Sequence, residues 1–197
     1  MVMGPTTPTA AAKGMTVPDG PPGPERPELG IVEEWIGDRP DPTVRKAYGD
    51  VLASAEWSHW RPFAEAIADA PRLPGVYLLR EPAVQVIRYV GMAGERLGGG
   101  RAQGLRGRLA VYGSGKGAVS GFGEAALDRA LGDSDWVAHQ LEHLIQVGPQ
   151  RAKQWAADAI SRLAPEISWA TTIDKGSARA LEDEVVGILR PHDIWNR

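Results

Sequence analysis

Cysteine is absent from this 197-residue chain. That removes disulfide frameworks, thiolate nucleophiles and the usual zinc ribbons and fingers. There is also no run of about eighteen apolar residues, so nothing reads as a membrane span. The N-terminus lacks a basic stretch followed by an apolar core, the pattern of a secretory leader, and the expected compartment is the cytoplasm. Histidine occurs four times and phenylalanine twice. Against these absences, hydrophobic residues make up 43% of the chain, enough to build a core in one domain with appendages.

Net charge is only -3, but it is unevenly spread. Arg72, Arg80, Arg88, Arg96, Arg101, Arg106, Arg108 and Lys116 face only Glu81 and Glu95, so this stretch carries +6 and the remainder -9. Positive charge concentrated on an otherwise acidic chain suits a polyanion-binding face, and arginine suits bidentate phosphate contact. A solvated arginine-rich surface is the plainer alternative. Arg88, Arg101, Arg106 and Lys116 are the candidate nucleic-acid contacts.

Residues 1–29 are rich in Pro, Gly, Thr and Ala without periodicity and read as a disordered tail. Residues 30–72 read as a helical N-terminal region, with Asp41-Pro42 as N-cap and first turn of one helix. Trp57, His59 and Trp60 read as core packing, or as a base-stacking platform in the minority reading. Two short strands follow, then glycine-rich "GERLGGGRAQG". A helix over 105–112 comes next, with Leu105 and Leu109 as its apolar stripe and Arg108 and Tyr112 on a neighbouring face. Helical stretches near 124–131, 134–147 and 150–163 precede a strand at 167–174 and a final helix. The core face of that helix is Leu181, Val185, Ile188 and Leu189, and Pro191 ends it.

Three motifs invite chemistry and lack its requirements. "YGSGKG" has Ala110 where a phosphate-binding loop needs its first glycine, and Gly117 where it needs Ser or Thr. Gly121, Gly123 and Ala126 space like a dinucleotide fingerprint but follow no buried strand. "HQLEH", His139 to His143, has the order of inverted zinc peptidases, yet no third ligand follows it, and a polar helix face is the simpler reading.

The stretch "PGVYLLREPAVQVIRYVGMAG" is different. Gly75-Val76-Tyr77 and Tyr89-Val90-Gly91 are near mirror images on two strands of a hairpin. An even separation puts both tyrosines on one face, and a turn centred on Ala83 would pair Tyr77 with Tyr89. The glycines would leave room beside the rings for something to approach closely.

Taken with Arg108-Leu109-Ala110-Val111-Tyr112, and with "SWATTIDKGSARALEDEVVGILRPHDIWN" further on, this pattern resembles the GIY-YIG nuclease superfamily. It is most similar to the incision domain of the UvrC-type excision-repair nuclease. The resemblance spans about Pro74 to Asn196 and is interrupted by a helical insertion at about 118–165. It implies an α+β fold: a small, mainly antiparallel three-stranded sheet flanked by helices, within a nuclease domain at 73–197. It also implies a divalent-metal-dependent endonuclease acting on DNA, with RNA left open, in repair, restriction or mobile-element biology. Glu182 would be the single protein ligand of Mg²⁺ or Mn²⁺. Arg108 would grip the scissile phosphate, Tyr77 or Tyr89 would serve as base or proton relay, Tyr112 would add a hydrogen bond, and Asn196 would orient its neighbours. Double-strand cleavage would need a homodimer or successive nicks. A non-catalytic nucleic-acid-binding or regulatory protein on the same scaffold is the alternative.

Overall fold

A computed structural model describes residue 1 and residues 29–37, 39–95, 97–98, 101–119 and 121–196. For residues 29, 97, 98, 101 and 102 it describes the backbone alone. The tail expected over 1–29 therefore lies almost wholly outside the described residues.

The N-terminal region contains α1 (Leu29–Ile36), α2 (Pro42–Ser54), β1 (Arg61–Pro62) and α3 (Phe63–Asp69). Asp41 caps α2, its carboxylate accepting from the Thr43 N–H at 2.8 Å with Pro42 opening the first turn. The hairpin strands are β2 (Gly75–Glu81) and β3 (Val86–Ala93), and the glycine-rich connection holds β4 (Leu97–Gly98) and β5 (Arg101–Ala102). Beyond them lie α4 (Gly104–Gly113), α5 (Gly121–Leu131), α6 (Ser134–Val147), α7 (Ala152–Leu163), β6 (Glu166–Thr171) and α8 (Lys175–Leu189). Asp174 starts α8 by accepting from the Ser177 N–H at 2.7 Å. Helical spacing then buries Ala178, Leu181, Val185 and Leu189, while Ile188 is only partly buried.

The main sheet is antiparallel and has four strands in the order β1-β6-β2-β3, where the sequence predicts three. The extra strand is the dipeptide Arg61–Pro62, paired with Ile167 and Glu166. It is too short to show alternation, and its proline is tolerated because β1 is an edge.

A bulge between Leu79 and Arg80 sets the hairpin register. Tyr77 pairs with Gly91 and Leu79 with Tyr89, but Arg80 pairs with Ile87, so Arg88 is the extra residue. The predicted Tyr77–Tyr89 pairing is thus displaced by two. The two tyrosines still share a face, while Ile87 turns to the opposite one.

Each face has its own core. Val76, Leu78, Ile87, Val90 and Ala170 pack with α8 and with Trp35, Tyr48, Val51, Leu52, Trp57 and Trp60. Residues 30–72 therefore share a core with the sheet. Trp57 and Trp60 lie 5.5 and 5.0 Å from Trp35 by ring centroid, buried as packing, and His59 alone of that motif is exposed. On the other face Tyr77, Leu79, Ala93 and Ile167 meet Leu105, Leu109, Tyr112, Phe122 and Ile160 from α4, α5 and α7.

Candidate active site

Gly91 answers why tyrosine and glycine are mirrored. A Cβ at Gly91 would fall on the Tyr77 hydroxyl and ring, so the glycine exists to let Tyr77 lie flat across β3. Gly75 is just as close to the Ala170 carbonyl and the Leu105 side chain. The space beside both glycines is filled by the protein itself, where the sequence suggests room for a ligand. Gly91→Ala is expected to cost about 1–3 kcal/mol through overpacking, read as a lower midpoint in chemical denaturation.

Leu105 and Leu109 anchor α4 to the sheet, which turns Arg108 and Tyr112 toward the tyrosines. Tyr77 and Tyr112 have no exposed surface, and their hydroxyls are 2.9 Å apart. Tyr89 stacks on Tyr77 at 6.4 Å between centroids and is only partly buried. The Arg108 guanidinium lies 5.3 Å from the centre of the Tyr112 ring and close to the Tyr77 hydroxyl. Its Nε is buried and has no hydrogen-bond partner among the described residues.

Burial pushes the Tyr77 hydroxyl far above the ordinary phenol range, and the neighbouring Tyr112 and Tyr89 oxygens push the same way. Tyr89 is raised too, first by burial and then by Tyr112. Burial opposes the Arg108 charge, but the phenolic oxygens of Tyr77 and Tyr112 outweigh it and hold the guanidinium above its usual value. At neutral pH Tyr77 and Tyr89 are therefore neutral phenols beside one firmly held cation.

Glu182 approaches from the opposite face. Leu181 and Val185 fix α8 beneath the sheet, and Glu182 reaches the outer edge of β3 beside the Met92 N–H, which favours its charged form. Its side chain is 16% exposed. Burial raises its pKa, Arg179 works against that and Asp183 with it, and Arg108 is close enough to lower it. Glu182 in turn acts on Tyr89. Asn196 occupies the same edge two residues along: it accepts from the Val90 N–H at 3.0 Å and donates to the Val90 carbonyl at 2.7 Å. The carboxylate is therefore within electrostatic range of both the guanidinium and Tyr89 at one margin of the sheet.

Two of the four candidate nucleic-acid contacts are engaged by other groups of the protein. Arg88, the bulge residue, pairs with Glu81 at 3.0 Å and Asp193 at 2.6 Å. Arg106 donates from Nε to the Ala70 carbonyl at 2.9 Å, which ties α4 to the end of α3. Both are structural clamps rather than open cations. Lys116 is exposed beyond α4, and the Arg101 side chain lies outside the described residues.

Four further residues shape the site: Gly121, Phe122, Trp195 and Arg179. Only Arg179 was readable in advance, since a cation three residues before Glu182 on a helix forms an i,i+3 pair, here at 3.2 Å. The "HQLEH" residues are otherwise engaged: Glu142 accepts from Gln146, and His143 contacts Gln150. Among the described residues no three His, Asp or Glu side chains form a metal-holding group.

Comparison with protein-family profiles, with curated proteins and with solved structures returns no match.

Proposed function

We propose that this chain is a divalent-metal-dependent endonuclease that hydrolyses phosphodiester bonds in DNA. The observation that carries the reading is that Glu182, from one face of the sheet, lies within electrostatic range of Arg108 and Tyr89 from the other, at the edge strand β3. Nothing about core packing alone requires a half-buried carboxylate there.

The residues suit a hard cation. Glu182 offers one oxygen ligand in a partly desolvated position, and Mg²⁺ keeps most of its waters and needs few protein ligands. Arg179 pairs with both Glu182 and Asp183 at 3.2 Å but is 66% exposed, so it can yield that carboxylate at little cost. Bound at Glu182, the ion would supply positive charge beside the phosphate and a more acidic water.

Hydrolysis joins the oxygen of water to phosphorus and breaks one bridging P–O bond; the leaving oxygen takes up a proton. Arg108 carries a buried, unpartnered N–H and a strongly held charge, and a phosphate oxygen would satisfy both. Tyr77 is wholly buried, so contact with the attacking water falls to Tyr89, with Tyr77 and Tyr112 behind it as hydrogen-bonding support. A phenol raised above its ordinary value donates a hydrogen bond in the free protein. It becomes a base only once substrate and cation are in place.

One observation favours the non-catalytic alternative. Tyr77 and Tyr112 spend their hydroxyls on each other, as purely structural tyrosines would. Supercoiled plasmid, linear duplex, branched DNA and RNA, each incubated with Mg²⁺, Mn²⁺ or EDTA, separate the two. Relaxed plasmid with Mg²⁺ and none with EDTA is the expected result; binding without turnover under every condition would leave only the non-catalytic protein.

A further inference from the structure

The helices between α4 and β6 do more than lengthen the chain. Gly121, the first residue of α5, has φ +57°, a conformation that L side chains rarely adopt. A Cβ there would stand 2.6 Å from the Tyr112 hydroxyl and 3.0 Å from that of Tyr89. The next N–H, of Phe122, points at the Tyr112 oxygen from 3.4 Å. The Phe122 ring packs 5.9 Å from Tyr112, edge-on, and 5.7 Å from Tyr89. It also stacks on Trp195 at 6.3 Å, with the planes only 4° apart. Trp195 is held in its turn by the Arg129 guanidinium at 3.9 Å and by its own N–H to the Arg88 carbonyl at 2.6 Å.

We infer that Gly121 and Phe122 are positioning residues for the phenol cluster, making the start of α5 part of the active site. Gly121 lets the backbone close over two hydroxyls at once. Phe122 aims a donor at Tyr112 and wedges its ring between the tyrosines and the C-terminal Trp195-Asn196 pair. Tyr77 and Tyr112 share one hydrogen bond at 2.9 Å, and where Tyr77 donates it the Tyr112 oxygen accepts from both Tyr77 and the Phe122 N–H. Tyr89, the one phenol of the three that reaches solvent, is the next member of the cluster. The first turn of a helix adds positive potential at that spot. The start of α5 thus fixes the middle member of the cluster.

This inference rests on the nuclease reading for its kinetic test but not for its spectroscopic one. A double-mutant cycle joins Gly121→Ala and Tyr112→Phe in the full chain. The readouts are alkaline titration of tyrosine absorbance and plasmid nicking at saturating Mg²⁺. Gly121→Ala is expected to bring at least one of the four tyrosines back toward ordinary titration and to slow nicking on the order of 10²-fold, the cost of ångström-scale misplacement. In the Tyr112→Phe background, where the closest clash is gone, the same glycine change should cost far less on both readouts. Phe122→Leu, which keeps the apolar contact and the helix start, should shift the titration of Tyr89 without loss of helical circular dichroism. It serves where Gly121→Ala does not fold. Additive effects across the cycle, or wild-type tyrosine titration in both Gly121→Ala and Phe122→Leu, would overturn the inference. A wild-type protein that never cleaves would overturn the nuclease reading alone, since the titration still judges the positioning.

Discussion

Glu182→Gln is expected to abolish Mg²⁺-dependent cleavage, by on the order of 10³-fold or more, with duplex binding and the folded state retained. The magnitude follows from losing several kcal/mol of charge stabilisation at the phosphate, at ~1.4 kcal/mol per decade of rate. The glutamine keeps the shape of the side chain and an oxygen beside the Met92 N–H, and loses the charge. Its effect on stability has a definite sign. Burial raises the carboxyl above its ordinary 4.5. A raised acid binds its proton more tightly in the folded protein than in the unfolded chain. That contribution is present below the unfolded pKa and fades as pH rises through the folded one. At neutral pH the charged form therefore opposes folding, and the glutamine variant should melt no lower than the parent. Cleavage by the parent should fall on acidification at a pH above that of an ordinary glutamate, again because burial favours the protonated form. A variant that still turns over with Mg²⁺, or one that unfolds, removes Glu182 from the role assigned to it.

Arg108→Lys should lower the cleavage rate about 10²- to 10³-fold, the range for removing one pre-organised donor from a developing anion. The metal concentration for half-maximal rate should change little. Lysine keeps the positive charge but not the planar fork, so it cannot face Tyr77 and present a fixed N–H to phosphate together. The contrast matters more than the size of the loss. A merely electrostatic role for Arg108 would be largely preserved by lysine, and single-turnover rates near those of the parent would show that the fork is not needed.

Much of the framework was legible because it depends on local patterns. Asp41-Pro42 and Asp174 mark helix starts, Leu105 and Leu109 an apolar stripe, and the three helices from 121 to 163 lie where their periodicity puts them. Tyr77 and Tyr89 share a face as expected, but two offsets combine to put them there: the turn pairs Glu81 with Val86, one step from a turn centred on Ala83, and the extra residue at Arg88 adds the second step and restores the parity. Neither offset is visible to alternation, so the register did not follow. Nor did the fourth strand, whose two residues carry no pattern. The surroundings of the candidate nucleic-acid contacts were hidden for a different reason. Charge counting sees Arg88 and Arg106 as cations but not Glu81, Asp193 or the Ala70 carbonyl, which folding brings to them. Gly121 and Phe122 had no signature at all, since contact between the start of α5 and the hairpin hydroxyls is purely tertiary.

The outer strand of any sheet offers bare amides and carbonyls, an invitation for molecules to polymerise by adding strands to one another. Here β3 meets that hazard along its outer side: Asn196 covers both polar groups of Val90, the Trp195 N–H takes the Arg88 carbonyl, and Glu182 stands beside the Met92 amide. The strip of backbone guarded against strand addition is the same one on which the proposed chemistry would be laid out.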